Sequence, residues 1–392
     1  MELTEKQKEG LRLAVSRYKN GERYTVIAGY AGTGKTTLVR SIIEELGVAE
    51  KDVCYTAYTG KATEVLKRKG NPNCMTLHKL LYDSFPLPTG GFRRVPKTRL
   101  DYKVVVADEI SMAPLTLISK LYSYKVYILF LGDPFQLPPV EKKADNHLLD
   151  NPHIFLNEIM RQEAESEIIQ LTMSIREGKG ITPYDGKDVK IFNQKELSTG
   201  MMEWADQMIC ATNRMRFGLN TQMRELKGFE GQYPVDGDKL ICLRNYWDVG
   251  SELNDDPIIN GTIGYFEDGY ETTIQYPKFI VREPVPIIGG NLIIPETNDK
   301  YKGLIFDKQM ITTEQKTLDS SVEYKIHSIK NTPPTPMEFT YGYAITCHKA
   351  QGSQFNKVLV VEEGYPYEGK EHARWLYTAC TRAVDKLVLI LK

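Results

Sequence analysis

The chain lacks the features that mark three common classes of protein. Its six cysteines form no C-x-x-C pair, the spacing that many zinc and redox sites use. No apolar run is long enough to cross a bilayer. The opening residues, MELTEKQKEG, contain no apolar signal region and are too acidic for a transit peptide. We therefore expect a cytoplasmic protein that has no zinc site and no contact with a membrane.

An excess of positive charge is also missing. The chain has 50 Lys and Arg residues against 51 Asp and Glu residues, which gives a net charge of −1. A protein that attracts nucleic acid through its whole surface carries a clear basic excess. Any nucleic-acid site in this chain must therefore be a local groove.

A phosphate-binding pattern is present near the N-terminus. Residues 29–36, GYAGTGKT, fit G-x-x-x-x-G-K-[ST], with a β-rich run before them and a helix-like run after them. The glycines let backbone N–H groups face phosphates, while Lys35 would reach the β- and γ-phosphates and Thr36 would bind magnesium. A glycine-rich turn that binds nothing is the alternative interpretation. The predicted nucleotide contacts in and beside the loop are Gly29, Ala31, Gly32, Thr33, Gly34, Lys35, Thr36 and Thr37.

The order of apolar runs predicts two α/β units in a chain of 392 residues. Strands are predicted at 23–28, 52–57, 102–107 and 126–131, and again at 207–211, 336–341, 357–361 and 386–391. Helices are predicted between the first strands and at 168–177, 214–226 and 371–382. Residues 244–336 show no helical periodicity and are rich in Tyr, Ile, Thr, Gly and Pro, which predicts a small β domain inserted in the second unit.

Acidic and amide side chains follow two of the predicted strands. Asp108 and Glu109 end the run VVVADE, and Asp133 and Gln136 follow YILFLG. In phosphate-loop enzymes an acid at such a strand end holds the metal, and a second acid can orient water. An acidic helix start is the alternative for the first pair, and a proline-rich loop is the alternative for the second.

Two arginines are candidates for stabilising the charge of a transferring phosphoryl group. Arg382 precedes the last predicted strand, and Arg161 lies in the segment NEIMRQE. An arginine that reaches across a cleft can neutralise charge in the transition state. The alternative for each is a surface ion pair of little energetic consequence.

The ordered blocks of this chain resemble the superfamily 1 DNA helicases, and within them the 5′-to-3′ branch of RecD-like and Dda-like enzymes (superfamily 1B). The resemblance covers nearly the whole chain. The blocks are LTEKQ, GYAGTGKTT, YTGKATEVL, TLHKLL, VVVADEISM, LGDPFQLPPV, IMRQ, NGTIG, YAITCHKAQGSQF and YTACTRA.

The resemblance implies an α/β fold with two RecA-like P-loop domains that bind ATP and Mg²⁺ between them. The first would span residues 1–143 with a hairpin insertion at about 82–101; the second would span 144–243 and 337–392, with a small β-barrel inserted at 244–336. The residues that match the family's catalytic positions are Lys35, Asp108, Glu109, Gln136, Arg161 and Arg382. Gly352 would lie near the phosphates. Gln7 would contact adenine, although Thr4-x-x-Gln7 also fits a helix capping box.

The same resemblance implies binding of single-stranded DNA, mainly through backbone phosphates. Hydroxyl, imidazole and ammonium groups suit that task because they contact phosphate oxygens without reading bases. The matching residues are Thr59, Lys61, Thr76, His78, Thr346, His348 and Lys349. For both histidines a locally satisfied imidazole is the alternative.

The segment YDSFPLPTGGFRRVPKTRLDYK is the candidate for the wedge that separates duplex strands. Its centre reads as a hairpin tip. Phe85 and Phe92 flank that tip and Arg93, Arg94, Lys97 and Arg99 follow it, a combination of aromatic and basic residues typical of a surface that stacks single strands. The prolines predict a short hairpin. A solvated loop is the alternative.

These observations and the resemblance predict an ATP-dependent DNA helicase that acts on single-stranded DNA and duplex junctions. Movement from 5′ to 3′ is implied by the resemblance alone. We expect an active monomer, and a single-strand-binding protein is a candidate partner. Three alternatives remain: a translocase that displaces proteins and hardly unwinds, an RNA helicase of the same superfamily, and a small-molecule kinase.

Overall fold

The structure is a computed structural model and describes residues 3–86, 92–138, 146–160, 165–246, 249, 251, 257–295, 297–329, 331–364 and 366–392, with the backbone alone at 84, 86 and 92–94. The chain divides into two compact units. The first contains Met1–Tyr82, Pro96–Asn213 and Thr346–Lys392, and the second contains Asp83–Val95 and Arg214–Ile345.

The helices of the described residues are short to medium in length. They are α1 (Glu5–Lys19), α2 (Lys35–Leu46), α3 (Gly60–Arg68), α4 (Leu77–Leu81), α5 (Leu115–Tyr122), α6 (Glu167–Arg176), α7 (Thr199–Trp204), α8 (Asn213–Leu226), α9 (Lys308–Thr313), α10 (Ser320–His327), α11 (Cys347–Ala350) and α12 (Gly369–Cys380). Single 3₁₀ turns lie at Glu50–Asp52, Ile110–Met112 and Gln194–Glu196. Within the part of the chain that the structure describes, we find no helix with the length and apolar character needed to cross a membrane.

The strands form two sheets in the first unit, one sheet in the second, and a separate pair. They are β1 (Tyr24–Gly29), β2 (Val53–Ala57), β3 (Cys74–Thr76), β4 (Tyr82–Pro86), β5 (Phe92–Pro96), β6 (Val104–Asp108), β7 (Tyr127–Gly132), β8 (Ile154–Leu156), β9 (Tyr184–Asp185), β10 (Val189–Asn193), β11 (Gln207–Cys210), β12 (Lys239–Cys242), β13 (Ile263–Ile274), β14 (Val285–Ile294), β15 (Asp299–Asp307), β16 (Phe339–Tyr341), β17 (Ala344–Thr346), β18 (Phe355–Val361) and β19 (Ala383–Leu391).

The first sheet is parallel and has the order β3-β2-β6-β7-β1-β8. Alternate residues of each strand enter different cores: Val104 and Val106 pack with α1, α2 and α3, while Val105 and Ala107 pack with α4 and α5. Because both faces are covered, the central strands are apolar throughout. The carboxyl ends of β1, β6 and β7 therefore meet at one edge, which is where ligands bind in sheets of this kind.

The second sheet has the order β17-β11-β18-β19-β10-β9. Strands β11, β18, β19 and β10 run parallel, and β9 pairs with β10 in the antiparallel direction. The prediction of two parallel α/β sheets is confirmed.

The second unit is built on an antiparallel sheet of the order β15-β14-β13-β12-β16. Two backbone hydrogen bonds, from Asp307 N to Met337 O at 2.8 Å and from Met337 N to Ile305 O at 2.7 Å, join the β15 edge to the segment that leads into β16. The sheet thereby curls on itself around a core that includes Phe266, Phe306 and Phe339.

Two expectations for this unit were wrong. The strand predicted at 336–341 is β16, and it pairs with β12 in the antiparallel sheet instead of extending the second parallel sheet. A three-residue apolar run has too little pattern to identify its partners. Helices α9 and α10 were missed because each spans about two turns or less, although the side chain of Asp307 caps α9 by accepting from Gln309 N and Met310 N, both at 3.0 Å.

Candidate nucleotide and nucleic-acid sites

The predicted phosphate loop connects β1 to α2. Gly32 and Gly34 have φ values of 73° and 75°, in the left-handed region that favours glycine. A Cβ atom on Gly34 would also lie 2.4 Å from Gln7 Nε2 and from Met160 Sδ. Both the backbone conformation and the close approach therefore require glycine at this position.

The ammonium of Lys35 lies over the loop. Its Nζ donates to the carbonyl oxygens of Gly29 at 2.6 Å and Tyr30 at 2.9 Å. Thr33 Oγ1 also donates to Tyr30 O, at 2.9 Å. The positive charge and the N-terminus of α2 thus occupy the same place, which suits the binding of a polyphosphate.

The amide of Gln7 connects α1 to the loop. The capping box is present: Thr4 N donates to Gln7 Oε1 at 2.9 Å, and Gln7 N donates to Thr4 Oγ1 at 3.3 Å. Gln7 Nε2 donates to the carbonyl oxygens of Thr33 and Gly34, at 3.3 and 3.4 Å. The predicted contact with adenine stays a prediction.

Asp108 ends β6, and Glu109 follows it in the left-handed region with φ of 51°. Glu109 N donates to Asp108 Oδ1 at 2.8 Å. Burial raises the pKa of Asp108, and the neighbouring Glu109 carboxylate raises it further. The predicted metal-binding and water-orienting roles of these two acids stay predictions.

The donor set at this edge fits Mg²⁺. Asp108 and Thr36 offer carboxylate and hydroxyl oxygens, the hard ligands that Mg²⁺ prefers when it also binds phosphates. A bound divalent cation would offset the burial that raises the pKa of Asp108. Among the described residues, no group of three or more His, Cys, Asp and Glu side chains is arranged to hold a metal ion.

Gln136 is buried in the loop after β7. Its backbone N donates to Asp133 O at 3.3 Å, but its side-chain Oε1 is buried with no hydrogen-bond partner. A buried amide oxygen without a partner is costly unless a ligand or water satisfies it. The two amide atoms can exchange places by a flip, so the same position can present an N–H donor to a phosphate oxygen.

Tyr377 on α12 connects the second sheet to the phosphate loop. Its hydroxyl donates to Asp133 Oδ2 at 2.5 Å and accepts from Ala31 N at 3.0 Å. Tyr377 and Asp133 are 1% and 2% exposed. Burial raises the pKa of Asp133, and burial together with Asp133 raises the pKa of Tyr377. The phenol is therefore protonated and bridges a loop amide to a buried carboxylate.

Three further hydrogen bonds join the loop after β7 to the second sheet. Leu137 N donates to Thr378 Oγ1 at 3.0 Å, and Gln351 Nε2 donates to Leu137 O at 2.9 Å. Arg374 donates to Pro134 O at 3.2 Å. None of these contacts was predicted, because a tyrosine or threonine inside an amphipathic helix looks like an ordinary core residue in sequence.

Arg382 is buried at 4% exposure. Its guanidinium donates to Thr378 O at 3.1 Å, to Ser353 O at 3.4 Å and to Thr381 Oγ1 at 3.1 Å. Within the described part of the chain it makes no ion pair with a carboxylate. These hydrogen bonds hold the Arg382 guanidinium in place, and its positive charge can still pair with an anion such as phosphate.

A cavity of about 60 Å³ brings predicted residues from both sheets together. Asp108 and Glu109 line it from the first sheet, and Gly352 and Arg382 line it from the second. Gly352 has φ of 75°, and a Cβ there would lie 2.8 Å from Thr59 Oγ1. Arg161, the other predicted arginine, lies outside the described residues.

The three predicted DNA-binding threonines share one structural position. Thr59, Thr76 and Thr346 are the N-caps of α3, α4 and α11, at or just after the ends of strands. Thr59 Oγ1 accepts from Ala62 N at 3.2 Å, and Thr76 Oγ1 accepts from Lys79 N at 3.3 Å. Because a hydroxyl both donates and accepts, each of these can still donate to a phosphate oxygen.

The two histidines have aromatic neighbours. The His78 ring centroid lies 6.0 Å from that of Tyr58 and 6.4 Å from that of Tyr82. His348 lies 6.3 Å from Tyr367, and burial lowers the pKa of its imidazole. His348 is therefore neutral near pH 7 and could contact phosphate as a hydrogen-bonding group but not as a cation.

Neither of the two lysines that are predicted to contact DNA phosphates, Lys61 and Lys349, is fully exposed. Lys61 is buried at 7% exposure, and its Nζ lies 3.4 Å from the Glu64 carboxylate. Lys349, on α11, is half-buried. Their predicted role in DNA binding stays a prediction.

The predicted hairpin corresponds to β4 and β5, which pair with each other. The Phe85 side chain is 53% exposed. The Phe92 side chain and the predicted tip lie outside the described residues. The observed strands are five residues each, so the paired region is short.

Comparison with known proteins places this chain among helicase sequences. The family model described as an AAA domain matches residues 2–195, and that described as a UvrD-like helicase C-terminal domain matches residues 341–390. The ATP-dependent RecD2 DNA helicase of Deinococcus radiodurans is 24% identical over 382 residues, covering 93% of this chain and 46% of that protein. The ATP-dependent DNA helicase PIF1 of Candida albicans is 26% identical over 490 residues, covering 91% of this chain and 51% of that protein. The chain thus spans about half the length of these curated relatives.

A solved structure has the same fold. The crystal structure of a Pif1 helicase from Bacteroides in complex with ADP-AlF3 and ssDNA matches with a TM-score of 0.53 and 19% identity, over 99% of this chain and 92% of that one. A likeness at this identity establishes the fold, which is that of two RecA-like domains.

Replacing Lys35 tests the nucleotide site. We expect Lys35→Ala to weaken binding of a fluorescent ATP analogue by about tenfold or more, because the charge over the phosphate loop is lost. Titration followed by fluorescence anisotropy measures this. Lys19→Ala, an exposed lysine at the end of α1, is the control and should bind like the parent. Equal affinity of Lys35→Ala and the parent would contradict the site assignment.

Proposed function

We propose that this chain, which belongs to the superfamily 1B helicases, is an ATP-dependent motor that moves 5′ to 3′ on single-stranded DNA and unwinds duplex DNA. One observation carries the proposal. Two acids from the first sheet, Asp108 and Glu109, line the same cavity as Arg382 from the second. Hydrolysis of a nucleotide bound there would depend on the positions of both sheets, which is what a motor needs.

Each residue has a chemical task in the proposed hydrolysis. Lys35 and the amides of the loop bind the phosphates, and Glu109 orients water for in-line attack. Arg382 stabilises the negative charge that develops on the transferring group. Gln136 contacts the γ-phosphate and relays its presence to the segment that bonds to α12. Magnesium, held by Thr36 and Asp108, would neutralise phosphate charge.

The Tyr377 contacts support coupling between hydrolysis and movement. A phenol that bonds both to Ala31 N and to Asp133 makes the closed arrangement of the two sheets a defined state. Nucleotide binding would favour that state, and product release would allow it to open. The threonine caps on both sheets would hold successive DNA phosphates, so each change of state would advance the strand.

The domain and partner assignments belong to the same proposal. The first RecA-like domain spans 1–143, the second spans 144–243 and 337–392, and the barrel is inserted at 244–336. The strands of the antiparallel sheet begin at Lys239 and end at Tyr341, a few residues outside the range 244–336 assigned to the barrel. Arg161 would act as a second arginine beside Arg382. We expect a cytoplasmic monomer that cooperates with a single-strand-binding protein.

A translocase that displaces proteins from single strands is the second candidate. The short pairing of β4 with β5 favours it, because a small wedge separates strands weakly. Such a protein would hydrolyse ATP on single-stranded DNA but would open few duplexes.

Unwinding of two duplexes tests the proposal. One duplex carries a 5′ single-stranded tail and the other a 3′ tail, and each is incubated with ATP and magnesium. We expect only the 5′-tailed duplex to open, because the proposed motor loads on the tail and moves towards the junction. A fluorophore and quencher pair at the junction measures strand separation, with Lys35→Ala as the inactive control.

The other outcomes are equally informative. Opening of the 3′-tailed duplex alone would keep the motor and overturn its direction. If neither duplex opens while single-stranded DNA stimulates ATP hydrolysis, the translocase is correct. Absence of DNA-stimulated hydrolysis would overturn the proposal.

Replacing Phe85 tests the wedge. We expect Phe85→Ala to slow unwinding several-fold while DNA-stimulated ATP hydrolysis stays at the parental rate, because the exposed ring acts on the junction and not on the nucleotide. Phe279→Ala, which removes another exposed ring, is the control. Equal loss of unwinding and hydrolysis in Phe85→Ala would refute the wedge.

Replacing Tyr377 tests the coupling between the sheets. We expect Tyr377→Phe to reduce the DNA-stimulated kcat by about tenfold, because loss of the hydroxyl removes the hydrogen bonds that join Asp133 Oδ2 and Ala31 N to α12. Affinity for the ATP analogue should change little, since the hydroxyl bonds to the loop and not to phosphate. Tyr324→Phe, at a tyrosine that is 70% exposed, controls for loss of a phenol. A parental kcat in Tyr377→Phe would show that the bridge does not couple the sheets.

A further inference from the structure

A second concave site lies on the second sheet of the first unit, and the proposed ATP and DNA sites do not use its residues. It is a cavity of about 490 Å³ between α7 and strands β10, β18 and β19. We call it the lysine-rimmed pocket. Its lysines are Lys187, Lys190, Lys357 and Lys386.

The floor of the lysine-rimmed pocket is apolar. Phe192, Met201 and Trp204 line it while only partly buried, and Leu387 and Val388 lie behind them in the sheet. Large apolar side chains that stay partly in water inside a concavity mark a binding site for another apolar group. Its volume lies in the range of sites for small ligands or a few side chains.

The rim places like charges beside one another. Lys357 and Lys386 are register partners on the adjacent parallel strands β18 and β19, and Lys190 is the register partner of Val388, two residues further along β19. These three lysines therefore share one face of the sheet. Like charges in register are destabilising, so the arrangement costs stability that a bound anion would recover.

The acidic neighbours leave the rim positive. Lys386 Nζ lies 2.6 Å from Asp188, and Lys190 pairs with Asp185. The ammonium groups of Lys187 and Lys357 make no ion pair within the described residues, although Lys187 N donates to Glu167 at 3.2 Å and Lys357 N donates to Asp206 at 2.9 Å. Of these acids only Asp188 lines the pocket, so four lysines and one carboxylate surround its apolar floor.

We propose that the lysine-rimmed pocket docks an acidic peptide segment of a protein partner. One aromatic or long aliphatic side chain of that segment would lie on Trp204, Phe192 and Met201, and carboxylates on either side of it would pair with Lys187 and Lys357. A bounded pocket with a partly aliphatic floor fits a peptide better than a nucleic acid, whose sites follow the backbone along an open groove with successive aromatic platforms. This inference does not rest on the proposed motor activity.

Binding of synthetic peptides to the full chain tests the docking. The probe is a fluorescein-labelled peptide of aspartates around one phenylalanine, followed by anisotropy at low and high salt. One control peptide replaces the phenylalanine with serine, and another replaces the aspartates with asparagine. The probe should bind measurably at low salt and weaken at high salt, and each control should bind at least several-fold more weakly.

Two charge-reversed proteins locate the site. The first is the double variant Lys187→Glu and Lys357→Glu. It should bind the probe about tenfold or more weakly than the parent, because its new carboxylates repel the aspartates of the peptide. The matched control is Lys179→Glu with Lys195→Glu, two exposed lysines outside the pocket, and it should bind like the parent. A thermal melt and ATP hydrolysis verify that both proteins are folded. Trp204→Phe should abolish any change in tryptophan emission that the probe causes.

Several results would overturn the proposal. The first is that the probe does not bind. The second is that the serine peptide binds as tightly as the probe. The third is that both charge-reversed proteins lose the same affinity for the probe. Displacement of the probe by oligodeoxythymidine, combined with weaker oligodeoxythymidine binding by the Lys187→Glu and Lys357→Glu protein, would assign the pocket to nucleic acid. Each readout is independent of unwinding, so failure of the docking and failure of the proposed motor are distinguishable.

Discussion

The buried hydroxyl of Tyr377 is the contact on which the arrangement of the first unit depends. It bonds to a loop amide, Ala31 N, and to the buried carboxylate of Asp133. An unsatisfied buried group costs about 1–3 kcal/mol, so partial separation is unfavourable for both partners. The two sheets are therefore held in one discrete arrangement at the phosphate loop, and neighbouring bonds from Thr378, Gln351 and Arg374 reinforce it.

The charged groups at the cavity that Asp108 and Glu109 share with Arg382 suit the binding of both an anion and a cation. Arg382 is held by carbonyl and hydroxyl oxygens, while Asp108 and Glu109 line the same space without neutralising it by an ion pair within the described residues. Burial raises the pKa of Asp108, and the neighbouring Glu109 carboxylate raises it further. A phosphate beside the guanidinium and a divalent cation beside the carboxylate would satisfy both groups.

A net charge of −1 conceals these local concentrations. The phosphate loop gathers Lys35 and a helix N-terminus, and the lysine-rimmed pocket gathers four ammonium groups on one small area. Because surface fields are screened within about 10 Å at moderate salt, binding depends on such clusters more than on total charge. A chain that is neutral as a whole can therefore offer separate sites to nucleotides, DNA phosphates and an acidic partner.

Much of the fold could be predicted from the sequence because its signals are local. The glycines of the phosphate loop, the buried runs of β1, β6 and β7, and the acids at their ends follow from residue type and spacing alone. The short strand β16 and the helices α9 and α10 could not be predicted correctly, since elements of a few residues carry no periodicity and take their partners from the surrounding fold.

For the site, residue type and spacing predict which groups would bind phosphate and metal: Lys35, Thr36, Asp108 and Arg382. The packing of the folded chain alone settles which of them meet, because the cavity that Asp108 shares with Arg382 joins residues from separate sheets. It also decided the bridge from Tyr377 to Asp133 and the convergence of the four lysines, since both arise where distant strands and helices pack together. Spacing along a chain describes chemistry within one element, whereas contacts between elements follow from how their buried faces fit.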